Sequence, residues 1–167
     1  MTELTCLQSD AVETTQYDGF LDITDLYPKW MKKQVVKGFI YSDMDDASGI
    51  FPAIDDWFIC NKFAEVKLIS DEEFHKNFYQ VDDDLYLACL KTHTIECVVF
   101  DGAGYGDWES YPRWLRRLLE DDGRYINDIF VLHDQPLCPG DVFLRNKQGH
   151  IRWVDEDTFK DNYYIVS

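Results

Sequence analysis

The residue types that perform catalysis or bind metals are present, but their spacing matches no known catalytic or metal-binding pattern. The four histidines are His75, His93, His133 and His150. None falls in an H-x-x-H or H-E-x-x-H pattern, the spacings that bring two imidazoles to one metal ion. We therefore expect scattered surface or loop histidines, no metal, no cofactor and no enzymatic activity.

The cysteines do not suggest a disulfide framework or a metal site. They are five in number, an odd count, and form no C-x-x-C motif. Most lie inside apolar runs, where cysteine behaves as a small hydrophobic residue. The five are Cys6, Cys60, Cys89, Cys97 and Cys138. We expect reduced, mostly buried thiols, as in a cytoplasmic protein.

Two segments look superficially like active sites. The stretch 101–107 is rich in glycine, but no Lys-Ser or Lys-Thr follows, and its acidic residues would repel a phosphate. A flexible turn is the favoured interpretation. His133-Asp134 lies close to Cys138, which would suit nucleophilic chemistry, but nothing in the sequence positions the three as a triad. Placement in a loop is favoured there too.

Clusters of carboxylates run through the chain and have three interpretations, which the sequence leaves open. One is solvated surface and helix caps. Another is a calcium loop, which 43–49 approaches without the terminal glutamate in register. The third is a surface that imitates the phosphates of nucleic acid or fits a basic groove on a protein. The clusters are Asp43/Asp45/Asp46, Asp55/Asp56, Asp71/Glu72/Glu73, Asp82/Asp83/Asp84, Glu120/Asp121/Asp122 and Asp155/Glu156/Asp157.

The charge balance limits the partners. Sixteen basic residues stand against 32 acidic ones, for a net charge of −16. Such a surface repels nucleic acid and anionic membrane, so we expect no direct binding of either and a protein with a basic surface as partner. The first residues show neither a basic segment nor an apolar one, and no run approaches about 18 apolar residues. We expect a soluble, cytoplasmic protein.

The elements that must position these residues occur twice. At an offset of 85 the closing stretch repeats an earlier one, with identical residues at Asp56/Asp141, Phe58/Phe143, Asn61/Asn146, Lys62/Lys147, Phe74/Phe159, Asn77/Asn162, Tyr79/Tyr164 and Val81/Val166. The opening strands match at an offset of 83, and the Tyr-Pro-x-Trp segments at 27–30 and 111–114 match at 84. This indicates an internal duplication. We predict repeat 1 at 1–82 and repeat 2 at 84–167.

Each repeat predicts the same small set of elements. Two short strands open it, at 4–7 and 11–17 in the first copy, and an amphipathic helix follows the Tyr-Pro-x-Trp segment. Further strands lead to a hairpin, at 142–144 and 151–154 in the second copy. A short helix then starts at a capping residue, Ser70 or Asp155. In the first hairpin Phe63-Ala64 replaces Gln148-Gly149, so we expect a different or looser turn there.

These elements predict an α+β fold. We expect two tandem copies of a small, mainly antiparallel sheet with two short helices each. With almost no linker between the copies, we expect them to pack as a pseudo-twofold pair, since a unit of about 80 residues is marginal alone. A homodimer is also possible.

Three motifs together resemble a known family. They are the strand Val12–Gly19, the Tyr-Pro-x-Trp helix, and the stretch from Pro139-Gly140-Asp141 through Gly149 to Phe159 and Tyr163-Tyr164. The family comprises small phage and prophage proteins that open on VEA-x-Q-aromatic-DG and close on PGD followed by glycines, Phe and Tyr. Asp55 and Asp56 depart from the pattern, because they stand where Pro-Gly-Asp is expected. The resemblance implies a phage origin and a fold, but no reaction.

Three functions follow as hypotheses. The first is a phage inhibitor without enzymatic activity that blocks a nucleic-acid-handling or anti-phage defence protein, by acidic patches with aromatic anchors and through nucleic-acid mimicry. Its candidate binding residues are Asp43, Asp45, Asp46, Asp82, Asp83, Asp84, Glu120, Asp121 and Asp122. The second is a module for a nucleotide signal, held between the repeats by convergent Lys32, Lys33, Arg116 and Arg117. The third is a virion or assembly component.

Overall fold

The computed structural model describes residues 2–19, 27–36, 52–82, 86–104 and 107–166. The fold is α+β and mostly antiparallel, as predicted, with short helices beside the sheets. The chain divides into two compact units. One is continuous, Asp10–Thr92, and the other joins Met1–Ser9 to His93–Ser167. We call them the continuous unit and the split unit.

The continuous unit contains one five-stranded antiparallel sheet in the order β4-β3-β2-β6-β5. Its elements are β2 (Val12–Gln16), α1 (Lys29–Val36), β3 (Trp57–Cys60), β4 (Val66–Ile69), α2 (Asp71–Asn77), β5 (Phe78–Asp82) and β6 (Leu87–Leu90). The sheet is covered on both faces. Helix α1 packs Met31 beside Phe58 on one face, whereas α2 packs Phe74 beside Trp57 on the other.

The split unit contains a five-stranded sheet in the order β12-β11-β7-β1-β13 and a three-stranded sheet in the order β10-β9-β8. Its elements are β1 (Glu3–Leu7), β7 (Ile95–Val99), α3 (Arg113–Asp122), β8 (Gly123–Ile126), β9 (Ile129–Leu132), β10 (Gln135–Pro136), β11 (Val142–Arg145), β12 (Ile151–Val154), α4 (Glu156–Asn162) and β13 (Tyr163–Val166). Leu115 and Leu119 of α3 pack with Phe143 on one face of the larger sheet, and Phe159 of α4 packs with Leu144 on the other.

The two five-stranded sheets have the same register at equivalent positions. Strand β2 pairs with β3 so that Glu13 faces Cys60, and β7 pairs with β11 so that Glu96 faces Arg145. The hairpins also agree, because Trp57 faces Ile69 in one and Val142 faces Val154 in the other. In these three pairs of equivalent strands, corresponding residues differ by the offsets of the sequence repeat, 83 between β2 and β7 and 85 between β3 and β11 and between β4 and β12.

The boundaries of the two compact units differ from the boundaries of the two sequence repeats. The opening strand of the first repeat, β1, lies between β7 and β13 in the split unit. The opening strand of the second repeat, β6, lies between β2 and β5 in the continuous unit. Each repeat therefore supplies a strand to the sheet that the other repeat builds.

The expectation of a different turn in the first hairpin is wrong. Ala64 has φ 60° and Gly149 has φ 86°, so both are left-handed. The Ala64 N–H donates to the Asn61 carbonyl at 2.9 Å, and the Gly149 N–H donates to the Asn146 carbonyl at 3.0 Å. In the first hairpin the Asn61 side chain also accepts from the Phe63 N–H at 2.9 Å, which helps to hold alanine in a conformation that glycine adopts freely.

The short helices end earlier than the spacing of their aromatic residues suggests. Phe78 lies four residues after Phe74 and Tyr163 four after Phe159, spacings that predict one apolar face in each helix, but Phe78 and Tyr163 each begin the following strand. The Phe78 ring stacks on Phe74, with centroids 5.4 Å apart, so the two rings are in contact although Phe78 is in a strand and Phe74 in a helix. The helix starts are as predicted: Ser70 accepts from the Glu73 N–H and Asp155 from the Thr158 N–H. Among the described helices, none is long and apolar enough to cross a membrane.

Candidate protein-binding surface

The structure describes only part of the predicted acidic surface. Asp43, Asp45, Asp46, Asp83 and Asp84 lie outside the described residues. Asp82 is described only as the last backbone position of β5. The remaining predicted residues, Glu120, Asp121 and Asp122, are all exposed. They can therefore be examined as a site.

This acidic triplet forms the last turn of α3. Negative charge is unfavourable there, because the carbonyl groups at a helix C-terminus already carry partial negative charge. No basic residue lies in that last turn to offset it. Within the described chain, the triplet makes one side-chain polar contact, from Asp122 to His133, with the carboxylate oxygen 3.2 Å from Nε2. Helix stability alone does not explain three acids at this position.

The triplet leads directly into a hairpin. Helix α3 has its C-cap at Gly123, which is also the first residue of β8. A β-carbon added to Gly123 would lie 2.2 Å from Cζ of Phe130 and 2.5 Å from the Leu119 carbonyl oxygen. Only glycine allows this close approach. Asn127 and Asp128 connect β8 to β9 with φ of 50° and 64°, as a type I′ turn requires. The hairpin is thus fixed at its base and at its turn.

The end of this hairpin exposes apolar side chains. Ile126 and Ile129 face each other across the two strands and are 43% and 52% exposed. Tyr125 is 47% exposed, although its ring also packs edge-on against Phe130 at 5.2 Å. We call Ile126 and Ile129 the hairpin tip. Two β-branched residues on a short, rigid turn present apolar surface that loses little conformational freedom on binding.

The hairpin tip is surrounded by negative charge in the sequence. Residues 120–136 hold five acids, Glu120, Asp121, Asp122, Asp128 and Asp134, and one cation, Arg124, for a local charge of −4. The Arg124 guanidinium donates to Asp134, so the cation is already paired. A partner for this surface must therefore bring both apolar and basic groups.

Sequence reasoning found the triplet and both strands but missed the tip. The strand segments around Tyr125 and Phe130 were assigned from their β-branched and aromatic residues. Which of those residues would be exposed depends on how the hairpin packs on α3. The available signal was the polar pair Asn127-Asp128 flanked directly by two isoleucines, which places both isoleucines next to a turn.

The residues considered for catalysis make local contacts in the described part of the chain. His75 contacts Asp71, with Nδ1 3.1 Å from the carboxylate, and His150 contacts Asn146. The backbone N–H of Cys138 donates to Asp141 at 2.9 Å. No cluster of three or more His, Cys, Asp or Glu in the described ranges is placed to hold a metal ion. Of the five free thiols, only that of Cys138 is exposed.

The glycine-rich stretch is organised around a tyrosine. Asp101 accepts hydrogen bonds from the Tyr111 hydroxyl and from the Ala103 N–H, the latter at 2.9 Å. These bonds, the side-chain bond from Tyr111 first, hold the pKa of Asp101 below its usual value. The Trp108 indole N–H donates to the Ala103 carbonyl at 2.8 Å. In the described part of this stretch, these hydrogen bonds therefore hold the turn in place, and the Asp101 carboxylate accepts from the backbone of the same turn.

The cations proposed for a nucleotide site are divided between the units. Lys32 and Lys33 lie on α1 of the continuous unit, whereas Arg116 and Arg117 lie on α3 of the split unit. Arg116 is half-buried, and its Nε has no hydrogen-bond partner in the described structure. Arg117 is exposed and lines a cleft within the split unit.

Comparison with known proteins adds no assignment. No family model matches the chain, and no curated protein or solved structure shows significant similarity to it. The resemblance to small phage proteins therefore stays a prediction.

Proposed function

We propose that this protein is a phage-encoded inhibitor that binds a basic surface on a host nucleic-acid-handling or anti-phage defence protein and blocks it. The observation that carries the proposal is the hairpin tip, an exposed isoleucine pair in a segment of local charge −4. Binding is stoichiometric and requires no catalytic group. The phage origin rests on the sequence resemblance alone.

The apolar and acidic parts of this surface have different roles. Isoleucine side chains that enter a pocket on the partner lose contact with water, which strengthens the complex mainly by slowing dissociation. The exposed carboxylates attract a basic partner over about 10 Å at 0.1 M salt, and therefore accelerate association. A nucleic-acid-binding groove supplies the required basic surface, so the acids of this protein would take the place of phosphates.

Two further features belong to this proposal. The equal registers of the two five-stranded sheets support an internal duplication of one ancestral unit. Four buried free cysteines and one exposed one fit the reducing cytoplasm of a host cell. Duplication of an acidic unit gives one chain two related surfaces, and their differences then determine which of them binds.

The test begins with capture of candidate partners from a susceptible host at low salt, followed by titration calorimetry with each purified partner. We expect binding to a basic nuclease, restriction or CRISPR protein at a ratio of one to one, with affinity that falls as salt rises. Replacement of both tip residues, Ile126→Ser with Ile129→Ser, should weaken binding roughly tenfold or more, because the tip is the buried anchor.

Matched controls separate the tip from general surface effects. Ile54 is 68% exposed in the continuous unit, so Ile54→Ser removes an isoleucine that is more exposed than either tip residue and should leave affinity unchanged. Glu120→Gln with Asp121→Asn should slow association and reduce the salt dependence. Absence of binding to every purified basic candidate at low salt would refute the proposal, as would equal affinity for the tip variant and the parent protein.

A further inference from the structure

A cleft in the split unit has a charge opposite to that of the protein. Its volume is about 470 Å³. It lies where α3 passes the end of the β11–β12 hairpin, and is lined by Arg113, Trp114, Arg117, Arg145, Gly149 and Ile151. Three of these six residues are arginines, and none is acidic. We call it the arginine cleft.

The three cations reach the cleft from two elements. Arg113 and Arg117 are four residues apart on α3, so their side chains lie on the same side of the helix. Arg145 ends β11 and lies with its guanidinium carbon 5.8 Å from the centre of the Trp114 ring. The Glu96 carboxylate lies 3.4 Å from Nη1 of Arg145.

Two of the cations are uncompensated. Among the described residues, neither Arg113 nor Arg117 makes an ion pair or a side-chain hydrogen bond. The chain has 32 acids and 16 basic residues, yet no carboxylate belongs to the lining of this cleft. Like charges held together repel, and an anion bound between them would relieve that repulsion.

The rest of the lining adds an apolar wall and leaves an opening. Trp114 and Ile151 are half-buried and apolar. At Gly149 an added β-carbon would meet no atom within 4 Å, so this end of the cleft is open. A volume of about 470 Å³ lies within the range of roughly 300–1,000 Å³ typical of small-molecule sites. The lining therefore suits a ligand with an anionic end and an apolar, planar end.

The equivalent place in the continuous unit lacks these features. Lys29, Trp30 and Lys33 of α1 stand where α3 has Arg113, Trp114 and Arg117, and Cys60 faces Glu13 where Arg145 faces Glu96. The fork of guanidinium N–H groups fits phosphate oxygens in pairs, which lysine cannot do. Both tryptophans have a buried indole N–H without a partner in the described structure, so that feature belongs to the shared helix and not to the cleft.

We propose that the arginine cleft binds a small phosphorylated ligand of the nucleoside monophosphate class. Arg113 and Arg117 hold the phosphate in bidentate hydrogen bonds, and Arg145 closes the site from the strand. The base lies against Trp114 and Ile151. This site is separate from the hairpin tip and does not depend on the inhibitor function.

The test is titration calorimetry of the full chain with a nucleoside monophosphate, and with the parent nucleoside, inorganic phosphate and citrate as matched probes. We expect the monophosphate to bind at one site, phosphate alone to bind more weakly, and the nucleoside and citrate not to bind. Arg117→Ala should weaken the monophosphate roughly tenfold or more, since one bidentate contact is lost. Arg145→Cys copies the residue of the continuous unit and should have a similar effect.

The control is Lys33→Ala, which removes the cation at the equivalent position of α1 and should leave affinity unchanged. Arg117 is exposed on the helix, so its variant retains the fold and decides the test even if Arg145→Cys does not fold. No binding of the monophosphate at millimolar concentration would overturn the proposal. So would equal binding of citrate, unchanged affinity in Arg117→Ala, or an equal loss in Lys33→Ala. None of these results bears on the hairpin tip.

Discussion

Tyr27 and Tyr111 perform the same local task in the two units. Each hydroxyl donates to the aspartate that precedes a left-handed glycine, Asp18 in one unit and Asp101 in the other. Each also accepts the backbone N–H of that aspartate, at 3.3 Å and 3.0 Å. Burial, and then the bond to the carboxylate, raise the pKa of Tyr27 from 10.0 to about 12 and raise that of Tyr111 further.

The tyrosine pair predicts how stability changes with pH. The pKa of each tyrosine is higher in the folded state than in the unfolded state. The stability that each hydroxyl contributes is therefore fully present below the unfolded pKa of about 10, and it is lost as pH rises through the folded pKa. We expect Tyr111→Phe to lower the free energy of unfolding by about 1–2 kcal/mol at pH 7, because the hydroxyl loses its bond to the Asp101 carboxylate and its bond from the Asp101 N–H. The loss of stability above pH 10 should be smaller in the variant. Urea unfolding followed by tryptophan fluorescence, at pH 7 and above pH 10, measures both.

The bond between Tyr111 and Asp101 also makes the stability of the fold depend on pH in the acidic range. The lowered pKa of Asp101 contributes stability that is present above the unfolded value of 3.8 and is lost as pH falls through the folded value. Tyr111→Phe should also reduce the loss of stability at acidic pH. Tyr86 is 58% exposed, so Tyr86→Phe is the control and should leave the pH dependence of stability unchanged in both the acidic and the basic range. Identical pH profiles for Tyr111→Phe and the parent protein would contradict the role given to this bond.

At the scale of elements, most of the fold could be predicted from local patterns. Alternating apolar residues predict the strands, and the spacing of Tyr111, Trp114, Leu115, Leu118 and Leu119 predicts one apolar helix face. Leu115 and Leu119 of α3 are buried, Trp114 and Leu118 are half-buried, and Tyr111 is buried just before the helix begins. The end of α2 could not be predicted this way. Phe78 fits both a helix face and a strand, and its pairing with Leu90 decides for the strand. That contact is distant in sequence, so the local pattern does not contain it.

The caps of the two short helices give a prediction at this scale. The Ser70 hydroxyl accepts from the Glu73 N–H at 3.2 Å and satisfies one of the free donors of the first turn. We expect Ser70→Ala to cost about 1 kcal/mol in the free energy of unfolding, measured with urea. Ser70→Asp copies Asp155, the cap of α4, and should retain the parent stability. An alanine variant as stable as the parent would show that α2 is held by packing alone.

At the scale of the whole molecule, the sequence repeats do not reveal where each opening strand pairs. Strands β1 and β6 carry the same residues at three equivalent positions, Leu4/Leu87, Cys6/Cys89 and Leu7/Leu90, and differ at Thr5/Ala88. Either strand therefore presents nearly the same apolar pattern to either sheet. Local sequence does not distinguish the two pairings. For the same reason, sequence predicted the acidic triplet but not the arginine cleft, whose residues meet only when β11 passes α3.

Strand β1 pairs in the split unit and β6 pairs in the continuous unit, an arrangement that we call the strand exchange. It predicts which fragments of the chain can fold. Residues 10–92 contain every strand of one sheet, whereas 1–82 lack β6, which lies between β2 and β5. We expect the fragment 10–92 to unfold cooperatively on heating and the fragment 1–82 to show a much weaker transition or none, because two strands lose their shared partner. Circular dichroism measures both transitions. A fragment 1–82 at least as stable as 10–92 would contradict the observed pairing.

The same exchange sets an order of events during synthesis. The continuous unit has all of its strands once Thr92 has left the ribosome, so it can fold while the rest of the chain is still being made. Strand β1 is made before both of its neighbours, β7 and finally β13, and can pair only after they have been made. Among the described strands, the earliest to be synthesised is therefore among the last to be paired. Throughout that interval its buried residues, Thr5 and Cys6, are available to other strands, including β5 of the continuous unit, which in the folded protein pairs with β6.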